Sequence, residues 1–255
     1  MSNPKPSICI IHGAWHHPAY YQPLVDALQN RGHETICPRL PSCTEGFSYE
    51  NSLAEDVACI RRNVTELIDA GKEVVAIMHS YGGVVGTEAL FELGLEHRES
   101  IGKVGGVKRM VYMTAFIPQV GQSLAGIFGG GLPPFIEVKD DENLLLIPDA
   151  APFFYNDLSP EDAEYWSKQI VKHPKPAQFT PIKHEAYRAQ NKKNAIPVTY
   201  IRCEKDTALI PDVQQMMIDT ITKSGIEVSV EHCEGSHSPF LSIPEVVAGI
   251  VERVA

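Results

Sequence analysis

Six short apolar runs recur along the chain, at 8–11, 34–37, 74–78, 107–113, 198–202 and 228–231. They are rich in Val and Ile and show no strict polar alternation, which predicts strands buried on both faces. Between them the apolar residues fall at steps of three and four. Tyr21, Leu24, Val25 and Leu28 follow Pro18 and predict a helix ended by Gly32. Leu53, Val57, Ile60, Val64, Leu67 and Ile68 predict a second, capped by Gly71, and Val84, Val85, Ala89 and Leu90 a third. Val213, Met216, Met217 and Ile221 mark another helix over 211–224, and the chain ends on one over 244–254. Strands alternating with helices at this spacing predict an α/β protein with a mostly parallel sheet of about six strands and helices on both faces.

The rhythm fails between 118 and 185. Gly121, Gly126, Gly129-Gly130-Gly131, Pro133-Pro134 and the acidic run Asp140-Asp141-Glu142 interrupt it. Ser159-Pro160-Glu161-Asp162 reads as a helix start with Ser159 as N-cap, and Ala163, Tyr165, Trp166 and Ile170 carry that helix toward Lys172. Phe128, Phe135, Phe153, Phe154, Tyr155 and Trp166 give the segment more aromatic surface than a linker needs. An insertion above the sheet, covering a site mouth or forming a satellite core, is the expectation. The loop 38–49, rich in Pro, Ser and Gly, is expected to be irregular.

Composition narrows the partners. A net charge of −10 argues against nucleic acid and anionic membranes. No apolar run approaches the ~20 residues of a membrane span, and the opening Met1-Ser2-Asn3-Pro4 lacks a signal-peptide layout. The cysteines at 9, 37, 43, 59, 203 and 233 contain no CxxC pair and read as reduced structural thiols. A cytoplasmic protein is therefore expected, its partner a small molecule, with a homodimer left open.

The chemistry centres on one junction. The run 74–78 passes through His79-Ser80-Tyr81-Gly82-Gly83 directly into a helical pattern, the layout of a nucleophile elbow. The simpler alternative is that Ser80 only begins that helix as its N-cap. The elbow pattern G-x-S-x-G is incomplete, because Met78 stands where its first glycine belongs.

A serine hydroxyl needs a base, and strand C-termini of a parallel sheet share one edge. Among ten histidines, His237 follows the last strand and precedes the last helix. His12 lies in the first strand's turn, His232 in a strand and His184 near the insertion, while His97 and His173 read as solvated helix ends. Asp206, after the fifth strand, is the candidate anion, with Glu204 and Asp212 as rivals. Candidate donors to a developing oxyanion are the N–H groups of Tyr81 and of Ala14, with Gly13 allowing the bend. His12, His16 and His17 lack acidic companions, so no metal is expected. Gly82-Gly83-x-x-Gly86 lacks dinucleotide spacing, and Gly129-Gly130-Gly131 lacks a following Lys-Ser/Thr, so no cofactor is expected.

With these pieces placed, the chain resembles the α/β-hydrolase superfamily, and within it the branch of plant methylesterases and hydroxynitrile lyases. The resemblance covers nearly the whole length. It rests on Ile11-His-Gly-Ala-Trp-His, Ala27-Leu-Gln-Asn-Arg-Gly-His, Leu158-Ser-Pro-Glu-Asp-Ala, Glu204-Lys-Asp-Thr-Ala-Leu-Ile-Pro and Ser236-His-Ser-Pro-Phe-Leu. It implies a hydrolase core over 1–117 and 186–255 and a cap, or lid, over 118–185. It also implies a triad of Ser80, His237 and Asp206, an oxyanion hole from Ala14 and Tyr81, and a cap that buries an aromatic or apolar acyl group. Ser238 departs from the lysine with which the lyases handle cyanide. The expected activity is hydrolysis of a small apolar or aromatic carboxylic ester, a methyl ester or lactone, through an acyl-enzyme. A lyase or carbon–carbon-bond enzyme using the same triad as acid–base machinery, or a non-catalytic small-ligand receptor, are the alternatives.

Overall fold

The structure, a computed structural model, describes residues 5–44, 50–188 and 195–255. Met1 to Pro4 and the second part of the loop expected over 38–49 lie outside the described residues. Strands β1 (Ser7–Ile11), β2 (Thr35–Ile36), β3 (Glu73–Ser80) and β4 (Gly106–Ala115) precede the irregular segment. Within that segment lie β5 (Glu137–Lys139), β6 (Leu144–Leu146) and β7 (His173–Pro174), and after it come β8 (Val198–Cys203) and β9 (Val228–Cys233). The six strands predicted from the apolar runs form one parallel sheet in the order β2-β1-β3-β4-β8-β9. The second strand is shorter than its run, pairing through Thr35 and Ile36 alone.

Every residue of β1, and every residue of β3 after Glu73, is buried. Both faces of the sheet are therefore covered, as their apolar runs without alternation require. Helix α1 (Gln22–Asn30) packs against the C-terminal helix Pro244–Val254, and α2 (Ser52–Asp69) against α3 (Gly82–Ala89). From β1 the chain turns outward to β2, then returns to β3 on the other side of β1. The C-terminal ends of β1 and β3 therefore flank the switch in strand order, where open α/β sheets place their clefts.

Residues between β4 and β8 build short helices and a separate antiparallel sheet, β5-β6-β7. Ser159 does cap its helix: its hydroxyl accepts from the Asp162 N–H, and Pro160 sits at the first position. The helix ends at Ser167, short of the predicted Lys172. After it the Gln169 N–H bonds the Trp166 carbonyl three residues back, and the Val171 N–H donates to the Trp15 carbonyl at 2.9 Å instead of continuing the helical ladder. Trp166 packs on Tyr20 at a centroid distance of 4.7 Å, and the Tyr20 hydroxyl donates to the Trp166 carbonyl. Among the described residues no helix is long and apolar enough to cross a membrane.

Candidate active site

Ser80 ends β3 with a φ of 52°, a left-handed backbone that non-glycine residues adopt only under constraint. Space dictates the constraint. A Cβ on Gly82 would lie 2.2 Å from the Ile11 carbonyl oxygen, so the helix after the serine can start this close to β1 only with glycine there. The missing first glycine of the elbow has a counterpart further on. Met78 is wholly buried, and a Cβ on Gly86 would fall 2.3 Å from its Sδ. The bulk added at 78 is accommodated by an empty position one turn into α3.

Three of the predicted residues meet at the sheet's edge. The His237 Nε2 lies 3.1 Å from the Ser80 Oγ, and the His237 Nδ1 lies 2.7 Å from the Asp206 Oδ2. All three are buried. Asp206 also accepts the Thr114 hydroxyl on Oδ2, and its Oδ1 accepts the N–H groups of Ala208 and Leu209, both at 2.8 Å. Because carboxylate oxygens only accept, Nδ1 carries the His237 proton and Nε2 is left to accept from Ser80. The rivals stand elsewhere: Glu204 pairs with His232 at 2.6 Å, and Asp212 begins the helix Pro211–Lys223. Phe154 stacks on the His237 ring at 5.2 Å, shielding it from water.

Ala14 and Tyr81 both line the cavity above Ser80. The Gly13 N–H does not face it, because it donates to the Tyr21 hydroxyl at 2.9 Å. The expected role of Gly13 in the bend is corrected by its surroundings. Its φ is not positive, and the left-handed residue of this turn is Trp15, with φ 61°. Glycine is required at 13 for proximity, since a Cβ there would sit 2.7 Å from the His79 Nδ1. The Trp15 indole N–H donates to the Leu145 carbonyl at 2.8 Å, tying the turn to β6.

Side chains without a role in the sequence reading hold this arrangement. His79 contacts the Tyr21 hydroxyl through Nδ1 at 2.6 Å and the His237 carbonyl through Nε2 at 2.8 Å. A carbonyl only accepts, so Nε2 carries the proton, Nδ1 accepts from Tyr21, and Tyr21 accepts from Gly13. This chain of hydrogen bonds joins the turn after β1, the elbow and the histidine loop. Burial, then the neighbouring His237, lowers the His79 pKa well below its ordinary value, which keeps the ring neutral. His16 donates from Nδ1 to the Ala14 carbonyl at 2.7 Å and accepts from the Tyr155 hydroxyl at 3.1 Å, with burial pushing its pKa down to about 3. His12 spans Gly13 and Leu40, its pKa lowered to about 4, chiefly by burial. Asp56 on α2 accepts the Tyr81 hydroxyl at 2.8 Å and the Ser42 N–H at 2.9 Å, and burial raises its carboxyl to about 6.

His173 corrects another expectation. It is a wholly buried residue of β7 and not a solvated helix end, set between the rings of Trp15 and Tyr81 at 5.3 and 4.8 Å. Burial pushes its pKa down to about 3. No sequence signal local to it shows this: its strand pairs with β6, remote along the chain, across the small sheet.

Above Ser80 lies a pocket with about 380 Å³ of empty space, solvent at its mouth included, lined by Ala14, Trp15, Tyr81, Phe116, Leu124, Phe135, Phe154, Gln178 and Leu209 among others. Its polar side chains are those of Ser80, His237, Gln178, Trp15 and Tyr81, and the rest of the lining is apolar. Among the described residues, no group of three or more His, Cys, Asp or Glu could hold a metal ion. A buried serine, an imidazole and a hydrogen-bonded carboxylate beside a largely apolar pocket can pass one proton to and from a small molecule.

Comparison with known proteins converges on one family. The Alpha/beta hydrolase family model matches residues 10–250. The Alpha/beta hydrolase nvfD of Aspergillus novofumigatus is 30% identical over 254 residues, spanning 98% of this chain and 97% of that protein. Among solved structures, a pyrethroid hydrolase from Sphingobium faniae superposes with a TM-score of 0.72 at 22% identity, covering 97% of this chain and 96% of its own. The methylesterase MES16 from Arabidopsis does so with a TM-score of 0.72 at 18% identity, covering 98% of each chain. At those identities the two structures speak for the shared fold.

Proposed function

The chain belongs to the alpha/beta hydrolase family, and from that premise we propose that it hydrolyses small apolar or aromatic carboxylic esters, methyl esters or lactones, through an acyl-enzyme on Ser80. The observation that carries the reading is the hydrogen-bonded row from the Ser80 Oγ through His237 to Asp206, at 3.1 and 2.7 Å. Ser80 attacks the acyl carbon while the His237 Nε2 takes its proton, and Asp206 holds the imidazolium that forms. The carbonyl oxygen becomes an anion between the N–H groups of Tyr81 and Ala14, each worth about 3 kcal/mol in the transition state. The tetrahedral adduct collapses as His237 returns the proton to the departing alcohol. Water then gives a proton to His237 and attacks the acyl carbon, and the carboxylic acid leaves as Ser80 recovers its proton. No cofactor enters this sequence.

In this reading residues 118–185 act as a cap over a core formed by 1–117 and 186–255, since Phe135, Phe154 and Gln178 reach from that segment to the cavity. The six unpaired cysteines support a cytoplasmic setting. The test is a panel of short-chain aryl, methyl and lactone esters given to the wild type and to Ser80→Ala. Turnover of at least one ester by the wild type, abolished in the variant, is the expected result. Equal turnover by both, or none by the wild type, would end the proposal.

A further inference from the structure

Gln178 lies in the short helix Lys175–Phe179, is 1% exposed, and shares the cavity with Ser80 and His237. Its Oε1 is buried with no hydrogen-bond partner. The other polar side chains of the lining are committed: the Trp15 indole N–H to Leu145, the Tyr81 hydroxyl to Asp56, and Ser80 and His237 to each other. A buried amide oxygen without a partner destabilises the fold unless something that binds there satisfies it. The same lining includes the apolar side chains of Leu124, Pro133, Phe135 and Ile136.

Resting on the ester-hydrolase reading, we infer that Gln178 is a specificity-determining residue: the group lodged in the cavity is an apolar ring or chain carrying a hydroxyl, which hydrogen-bonds the Gln178 carboxamide. A hydroxyl both donates and accepts, so it satisfies the amide whichever way its oxygen and nitrogen are placed. The apolar remainder of the lining favours an apolar body, and the Gln178 carboxamide reads where the hydroxyl stands. A site built to bond a hydroxyl rejects the analogue lacking it, because the amide is then left unpaired.

Two matched series test this. Methyl 3-phenylpropanoate is compared with its ortho-, meta- and para-hydroxylated forms, and 2-phenylethyl propanoate with its own, in the wild type, Gln178→Met and Gln178→Leu. The readout is the ratio of kcat/KM for hydroxylated over parent ester, which cancels general effects of the substitution. At least one ratio of about tenfold or more is expected in the wild type, falling to near unity in whichever variant folds. No ratio above unity in the wild type, or the same ratio in the variants, would overturn the inference. Failure of the ester-hydrolase reading looks different, as no ester would be turned over at all. In that event 1-phenylpentan-3-one and its ring-hydroxylated forms, which cannot be hydrolysed, are bound to the same proteins and followed by thermal shift. Tighter binding of a hydroxylated ketone in the wild type alone sustains the role of Gln178, and equal binding refutes it.

Discussion

Replacing Tyr21 with phenylalanine removes one oxygen and keeps the ring, which stacks on Phe240 at 4.1 Å. The lost hydroxyl is wholly buried and joins two groups, the Gly13 N–H at 2.9 Å and the His79 Nδ1 at 2.6 Å. Neither has another partner in reach of water, so the substitution leaves both unpaired. Each orphaned buried polar group costs about 1–3 kcal/mol, so the loss in stability should be about 2–6 kcal/mol. Against a total stability of roughly 5–15 kcal/mol this is a large effect for one atom. Urea denaturation of the two proteins, with equal slopes required, measures it. Because the same hydroxyl steadies the turn carrying Ala14 and, through His79, the carbonyl of His237, kcat should also fall, by roughly tenfold to a hundredfold. In a His79→Leu background the cost of Tyr21→Phe should shrink by about 1 kcal/mol or more, the signature of two residues acting together. A Tyr21→Phe protein within about 0.5 kcal/mol of the wild type would refute the network as drawn.

Three further outcomes are expected. His173, whose pKa falls from 6.5 to about 3 on folding, binds its proton only in the unfolded chain at pH 5, so its stabilising effect is full above 6.5 and is lost as pH falls. His173→Leu should therefore gain about 2 kcal/mol at pH 5 relative to its effect at pH 8, at 1.36 kcal/mol per unit of pKa difference still expressed; the same difference from wild type at both pH values would contradict this. Gly86→Ala should destabilise by about 1–3 kcal/mol through the clash with Met78, and a double cycle with Met78→Ala should show a loss smaller than the sum of the two. Asp206→Asn should lower kcat by about 10⁴ while the protein remains folded by circular dichroism, and a drop of less than tenfold would remove Asp206 from its proposed role.

The sheet was legible because each central strand is apolar on both faces, a local property of 74–78 or 198–202 that needs no knowledge of its neighbours. The positions of Ser80, Asp206 and His237 were legible for a related reason: each follows a different strand, and a parallel sheet gathers those ends. What could not be read is contact between elements remote along the chain. Nothing local to Met78 reveals that Gly86 makes room for it, and nothing near His79 reveals that its partners are Tyr21 and the carbonyl of His237. His173 follows Lys172 and precedes a proline, which locally suggests an exposed end. Its burial depends on the pairing of β7 with β6 and on rings supplied by Trp15 and Tyr81. Nor does anything local reveal that, past the helix after Ser159, the Val171 N–H donates to the carbonyl of the distant Trp15.

The central claim is that the Ser80 hydroxyl is a nucleophile activated by His237. The most direct measurement is covalent labelling by a fluorophosphonate, with the modified peptide located by mass spectrometry. One adduct on Ser80 in the wild type, absent in Ser80→Ala and strongly slowed in His237→Ala, is the result expected. Labelling that persists in Ser80→Ala, or that leaves Ser80 untouched in the wild type, would contradict it.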